Sequence, residues 1–182
     1  MMTGIAIRRA RAGDARAVAR VHVDSWRTTY AGIIPDKVIL GMSVDDKAAQ
    51  WRQIIAGQAR RDAVLVASAS GAGIVGYASV GPAQSLAGRF DGEVYTLYVL
   101  TDWQNRGIGR ALLRAAFAFL AGAGMGSAFA WVLSENPARF FYQAVGGKRA
   151  SERDERLWGA LLHQIAYGWA DLDAWLAEQD RT

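Results

Sequence analysis

The stretch that most limits what this chain can fold into runs from Glu93 to Phe119. Glu93-Val94-Tyr95-Thr96-Leu97-Tyr98-Val99 is β-branched and aromatic nearly throughout, which suits a central strand. Soon afterwards the period changes. Ile108, Leu112, Ala115 and Phe119 fall at offsets of four, seven and eleven, the apolar stripe of an amphipathic helix. Only the tight stretch Leu100 to Gly107 separates the two. A strand that feeds a helix through such a loop predicts an α/β domain with a mixed sheet.

The rest of the chain alternates in the same way. Ile5 to Arg8 reads as a short strand, and Ala15, Val18, Ala19, His22 and Trp26 recur at helical spacing, with the helix ending near Tyr30 before Gly32. Pro35 can open a short helical piece. Ser43 and Asp46 resemble a capping box ahead of Val44, Ala48, Trp51 and Ile55. Ala63–Ala67 and Ile74–Val80 are β-type runs joined by Ser70-Gly71-Ala72-Gly73, a hairpin pattern, and Pro82 to Gly92 reads as a loop. Ser127 to Leu133 predicts a strand, Ala138 to Ala144 a short helix, and Ala160 to Trp169 the last strand. The charged run Lys148 to Arg156 fits a solvated hairpin.

Ala115 to Ser134 holds no charged residue and is about long enough to span a bilayer. Gly122-Ala123-Gly124-Met125-Gly126 interrupts it, so a buried helix, a turn and a buried strand are expected instead. The N-terminus, Met1 to Arg8, lacks the basic flank and long apolar run of a signal peptide, so the expected location is cytoplasmic, without membrane contact. The absence of Cys excludes disulfides, thiol nucleophiles and Cys-ligated metal, and two His cannot make a three-histidine site, so no metal is expected. Lys and Arg number 21 against 17 Asp and Glu, a net +4 that favours anionic ligands. The positive charges are scattered rather than gathered into a stripe, which argues against nucleic acid.

The loop before the helix is a place for an anion. A helix N-terminus presents backbone N–H groups without intrahelical partners and carries the positive end of the helix dipole. Gly107 and Gly109 let a ligand reach those donors, and Arg106 and Arg110 add charge, so a phosphate or pyrophosphate suits the site. A dinucleotide fingerprint would need a third glycine and an acidic residue closing a following strand, and a P-loop would need Gly-Lys-Ser/Thr. Neither is present.

Gln104-x-x-Gly107-x-Gly109 after a strand ending in Tyr98-Val99 resembles the coenzyme-A signature of the GNAT superfamily, the acetyl-CoA-dependent N-acetyltransferases. Asn136-Pro137-Ala138-Arg139-Phe140-Phe141-Tyr142, followed by Gly146, is similar to that family's later motif. Ser25-Trp26-Arg27-Thr28-Thr29-Tyr30-Ala31-Gly32 with Ile34-Pro35 is similar to the opening of one bacterial branch. The order of elements matches from about Ile5 to Trp169. Gly147, directly after Gly146, departs from the pattern, since many members carry Phe there.

The resemblance implies a single N-acetyltransferase domain over residues 1–182, with a mixed sheet of about six to seven strands, flanking helices and one splayed pair. It implies that Leu97, Tyr98 and Val99 meet the pantetheine arm, with the Val99 N–H polarising the acetyl carbonyl. Gln104, Asn105, Arg106, Gly107, Ile108, Gly109 and Arg110 would hold the pyrophosphate, and Asn136 and Ala138 the arm. Tyr142 would protonate the departing thiolate. Glu93 would act as base, directly or through water, and simple alternation puts it on one face with Tyr95, Leu97 and Val99. Trp26 and Tyr30 would roof the site of a small-molecule or peptide amine.

His22 reads as a core histidine, whereas His163, between Leu162 and Gln164, is a further candidate for the acceptor pocket. The resemblance implies that variable loops build the acceptor pocket, here Trp26 to Met42, Pro82 to Gly92 and Lys148 to Arg156, and they carry charges of both signs: Asp36, Asp91 and Glu93 suit a cationic amine, and Arg89, Lys148 and Arg149 a carboxylate. A non-catalytic acyl-CoA-binding or sensing module is the alternative function. A homodimer that covers a sheet edge or a Trp-rich face is compatible with the sequence.

Overall fold

The structure, a computed structural model, describes residues 4–86 and 88–181. Met1 to Thr3, on which the reading of the N-terminus partly rests, and Ala87 of the Pro82–Gly92 loop lie outside the described residues. The strands are β1 (Ile5–Arg9), β2 (Ala63–Ala69), β3 (Gly73–Pro82), β4 (Gly92–Val99), β5 (Ala128–Leu133), β6 (Lys148–Leu157) and β7 (Ala160–Trp169). The helices are α1 (Ala15–Thr29), α2 (Asp36–Leu40), α3 (Val44–Ala56), α4 (Ile108–Gly122), α5 (Ala138–Ala144) and α6 (Leu172–Gln179). All seven strands join one sheet in the order β1-β2-β3-β4-β5-β7-β6.

Helices cover both faces. Leu112, Leu113, Ala116, Phe117 and Leu120 of α4 pack with Val75, Val94, Ala130 and Tyr167 on one side, together with Trp175 of α6. On the other side, Val18, Ala19 and Val21 of α1 and Trp51 and Ile55 of α3 pack on Val64, Val66 and Tyr77. The buried stripe of α4 is therefore rotated from the expected one. Ala115 and Phe119 are only half-buried, because α4 lies between the sheet and α6 and buries a wider band centred on Leu112, Leu113 and Ala116.

The charge-free stretch divides as expected into the end of α4, a turn and β5. Among the described residues no helix is long and apolar enough to cross a membrane. The charged run Lys148–Arg156 is the outer strand of the β6–β7 hairpin. Helix α6 lies beyond the last expected element; it opens on Asp171, whose side chain accepts from the Ala174 N–H at 2.9 Å.

The functional geometry comes from two irregularities. The parallel pair β4–β5 is in register only at Gly92↔Ala128 and Glu93↔Phe129, after which the strands part. In addition, β3 and β4 shift register between Ser79↔Thr96 and Val80↔Val94, leaving Tyr95 as the extra residue of a bulge. The bulge breaks the alternation assumed for β4. Val94, Leu97 and Val99 all pack on the α4 side, while Glu93 and Tyr98 face a pocket on the other.

Gly147, where Phe was the expected residue, has a packing reason. A Cβ there would lie 2.8 Å from the Trp169 ring and 2.8 Å from the Tyr142 carbonyl oxygen, so Trp169 occupies the space. The Trp169 indole N–H, like that of Trp175, donates to the Val145 carbonyl.

Candidate active site

Where β4 and β5 part, a cleft of about 960 Å³ opens between β4, the start of α4 and α5. Its β4 wall is made of backbone. Leu100 donates to the Val75 carbonyl at 2.9 Å, and on an antiparallel ladder every second residue pairs in this way. The register Tyr77↔Tyr98 and Ser79↔Thr96 then ties the main chain of Tyr98 and Thr96 to β3. The N–H and C=O groups of Leu97 and Val99 point instead into the gap that β5 leaves. One of them is occupied, since Gln104 Nε2 donates to the Val99 carbonyl at 3.0 Å. That bond folds the loop back under the strand.

The far end of the cleft is the start of α4. Gly107, the N-cap, has φ +76, a left-handed conformation that a side chain would strain. Asn105 also has positive φ, at 58. The first main-chain donor to an intrahelical partner is Ala111, to the Gly107 carbonyl at 3.0 Å. The amides of Ile108, Gly109 and Arg110 precede it, with no capping side chain and no acid in the first turn. A Cβ on Gly109 would come within 3.3 Å of the Phe141 ring, so α4 and α5 approach closely here.

Most of the expected ligand contacts meet in this one cleft: Leu97, Tyr98, Val99, Gln104, Asn105, Gly107, Gly109, Arg110, Asn136 and Ala138 all line it. The Ile108 side chain is buried in the core, so only its backbone is available. Arg106 does not line the cleft and stacks on Trp103, 4.8 Å from the ring centroid. Arg110 donates to Gln179 of α6 at 2.7 Å. The donor set fits a phosphorylated, peptide-like ligand: helix amides for the anion, strand amides and carbonyls for an extended arm.

Asn136 and Tyr142 flank the cleft through α5. Asn136 Oδ1 accepts from the Ala138 N–H at 2.8 Å, capping the helix, and its amide also lies against the Tyr30 hydroxyl. Tyr142 is buried, and burial raises its phenol well above the usual range, with the neighbouring Tyr30 adding to the effect. The hydroxyl is therefore fully protonated at neutral pH. Tyr30 shares a hydrogen bond of 3.0 Å with Tyr98, so α1 closes over β4 at this point.

A smaller pocket of about 230 Å³ adjoins the cleft, with Tyr30, Tyr95, Tyr98, Trp131 and Val132 lining both. Glu93 and Trp26 open onto it. Glu93 is 8% exposed, and its Oε2 accepts from the Gln84 N–H at 2.8 Å and more weakly from Ser85 at 3.5 Å. Burial raises its pKa; the two amides and the charge of Arg153 partly offset this. Trp26 meets Tyr30 edge-on at 4.9 Å and Trp158 at 5.3 Å.

The other charges raised by the sequence lie elsewhere. Asp91 accepts from Gly126 and Ser127 and ties the loop to β5. Arg89 donates to the Ala150 carbonyl, and Arg149 pairs with Glu152. His163 does not reach the pocket. It is held on the exposed face of the hairpin between Asp154 at 2.7 Å and Glu152 at 3.1 Å, whereas Gln164, one residue on, faces inward. His22 is a core residue whose Nδ1 shares a 2.8 Å hydrogen bond with the Tyr77 hydroxyl, and burial lowers its pKa to about 4. Trp131, Arg153, Trp158 and Gln164 also line the pocket; sequence reasoning singled out none of them, though Arg153 lies in the Lys148–Arg156 segment expected beside the acceptor. The one available signal was Trp158-Gly159 between two strands, a two-residue hairpin turn.

Comparison with known proteins follows the same geometry. Residues 17–146 match the acetyltransferase (GNAT) family. The uncharacterized N-acetyltransferase YuaI of Bacillus subtilis (strain 168) is 36% identical over 170 residues, covering 93% of this chain and 95% of that protein. Among solved structures, PaiA N-acetyltransferase of Thermoplasma acidophilum in complex with coenzyme A superposes with a TM-score of 0.66 at 22% identity, covering 89% of this chain and 98% of that one. YncA of Salmonella typhimurium, with its cofactor acetyl-CoA, gives 0.66 at 24% identity, covering 93% and 94%. At such identities these two structures establish a shared fold.

Proposed function

The chain belongs to the acetyltransferase (GNAT) family, and from that premise we propose that it is an N-acetyltransferase that moves the acetyl group of acetyl-CoA to a primary amine of a small molecule or peptide by direct attack. The observation that carries this reading is a row of backbone groups that, apart from the Val99 carbonyl held by Gln104, have no protein partner among the described residues, running from Leu97 and Val99 to the first turn of α4. It matches a thioester at the end of a pantetheine arm and a pyrophosphate. The coenzyme in the solved relatives supports that choice.

Acetyl-CoA supplies an activated acetyl group, and the protein supplies everything else. The amides of Gly107, Ile108, Gly109 and Arg110 bind the pyrophosphate, Gln104 and Asn105 shape the loop, and Arg106 adds charge from its rim. Asn136 and Ala138 bound the arm opposite β4. The Val99 N–H points at the acetyl carbonyl and stabilises negative charge as it develops. Trp26 and Tyr30 hold the amine on the opposite side, where positioning alone contributes several kcal/mol.

Proton transfers balance across the cycle. The C–N bond forms as the C–S bond breaks, and the nitrogen of the ammonium gives up two protons. One leaves through the free oxygen of Glu93 to solvent, and the second makes good the proton that Tyr142 gives to sulfur. Glu93 is suited to this by a raised pKa, and Tyr142 by a phenol that stays protonated.

The test is release of thiol from acetyl-CoA, followed with a disulfide reagent across amines, amino acids, aminoglycosides and peptides. The chain has no Cys to add background. Release that requires an amine is the expected result. Tight acetyl-CoA binding with no release on any acceptor would replace the transferase with an acyl-CoA-binding or sensing module.

A further inference from the structure

The smaller pocket holds two opposite charges that do not pair with each other. Glu93 lies within range of the Arg153 charge, yet no ion pair of 4.0 Å or less joins them among the described residues. Each is instead held in place by other partners. The loop amides of Gln84 and Ser85 fix Glu93 Oε2 and leave Oε1 without a hydrogen-bond partner among the described residues. Arg153 stacks on Trp131 at 4.2 Å, donates from Nε to Gln164 at 2.7 Å and pairs through Nη2 with Glu155 at 2.9 Å, which leaves Nη1 without a partner among the described residues. A fixed carboxylate and a fixed guanidinium on the walls of one cavity are complementary to a ligand carrying a cation and an anion a few atoms apart.

The remaining walls describe the rest of that ligand. Trp26, Tyr30, Ile34, Leu157 and Trp158 are apolar or aromatic. A volume of about 230 Å³ is below the range of pockets that take drug-sized ligands, about 300 Å³ and upward. Trp158 is notable for its backbone. Its φ is 51 and that of Gly159 is 83, the two left-handed residues of a type I′ turn, where Asn or Gly is the unstrained choice. This strain puts the Trp158 ring against Trp26 at the pocket mouth.

Building on the transferase reading, we propose that the acceptor is a free amino acid with an apolar or aromatic side chain, its ammonium directed to Glu93 and its carboxylate to Arg153. A peptide N-terminus lacks the nearby carboxylate, and a simple amine leaves the Arg153 edge unanswered. Arg153 thus acts as a specificity residue for the acceptor, separate from the coenzyme cleft, which it does not line.

The experiment compares leucine and phenylalanine with their amides and with the corresponding decarboxylated amines, in the presence of coenzyme. Binding is read by tryptophan fluorescence and turnover by thiol release from acetyl-CoA. The free acids are expected to exceed the amides and amines by more than about tenfold in binding and in kcat/KM, the scale of one charge-assisted hydrogen bond. Arg153→Gln should bring that ratio to within about twofold while acetyl-CoA affinity holds, and Arg153→Lys should restore part of it. Amides or amines that match the acids overturn the proposal and leave the transferase standing, as does failure of either acid to bind. Selective binding of the acids without thiol release upholds the pocket and overturns the transferase.

Discussion

The two cavities that meet at Tyr98 recognise their ligands by different means. The cleft beside α4 is lined by main-chain groups: the amides at the helix start, and the strand edge at Leu97 and Val99 that β5 leaves uncovered. The smaller pocket is lined by side chains from α1, β4, β5 and the β6–β7 hairpin, with its two charges on Glu93 and Arg153. A site made of backbone requires particular residues in a row, because the turn must reach left-handed φ at Gly107 and the helix must begin directly after it. A site made of side chains requires only that distant residues converge, and it leaves no local pattern.

The sharpest challenge to that division is Tyr142→Phe. The phenol lies on the backbone-lined cleft but acts through its proton, and its hydroxyl has no hydrogen-bond partner among the described residues to lose. Turnover is expected to fall about a hundred- to ten-thousand-fold, while the acetyl-CoA dissociation constant by calorimetry moves less than about threefold. Unchanged turnover would make the cleft a binding surface only and remove the general acid.

Next in size is Gly107→Val, which leaves the acceptor pocket untouched. The variant forces a β-branched residue to φ +76 where the cleft needs open amides. Strain of about 1–3 kcal/mol should weaken acetyl-CoA binding by roughly ten- to a hundredfold. Binding of the acceptor, read by tryptophan fluorescence, should stay within about twofold. Equal losses on both sides would mean that the two cavities are not separate recognition units.

This contrast also accounts for what could be read from the sequence. The strand–loop–helix unit and the hairpin of β2 and β3 were legible because each is encoded within a short window of periodicity or motif, whereas the splayed pair was expected only because the family resemblance implies it. The face of Glu93 was not, because a bulge at Tyr95 is set by pairing with β3, and strict alternation across it puts Glu93 on the face of Leu97 and Val99, which it does not share. The stripe of α4 was misplaced by an angle that depends on α6, an element whose only local mark is the cap at Asp171. Arg153 stood in a run read both as a solvated hairpin and as an acceptor loop, with nothing local to single it out. Its role depends on facing inward beside Trp131 and Gln164, a property of the β6–β7 register rather than of the run itself.

The smallest expected effect concerns stability, and it tests whether the side-chain pocket carries a cost that the backbone cleft does not. Glu93 has its folded pKa raised above the unfolded value of 4.5, mainly by burial. A raised carboxylate stabilises the fold fully only below the unfolded pKa, and that contribution is lost as pH rises through the folded value. The wild type should therefore be penalised at pH 7 and not at pH 4. Glu93→Gln keeps an oxygen to accept from Gln84 and Ser85 but carries no charge. Its melting temperature at pH 7 should exceed that of the wild type by up to about 4 °C, the shift expected from 1 kcal/mol in a chain of this length. The difference should close as pH falls toward 4, and turnover of the variant should lose the acid-side limb of its pH profile. A variant less stable than wild type at pH 7 would show that the carboxylate is held for packing, and the base would have to be sought elsewhere on the pocket wall.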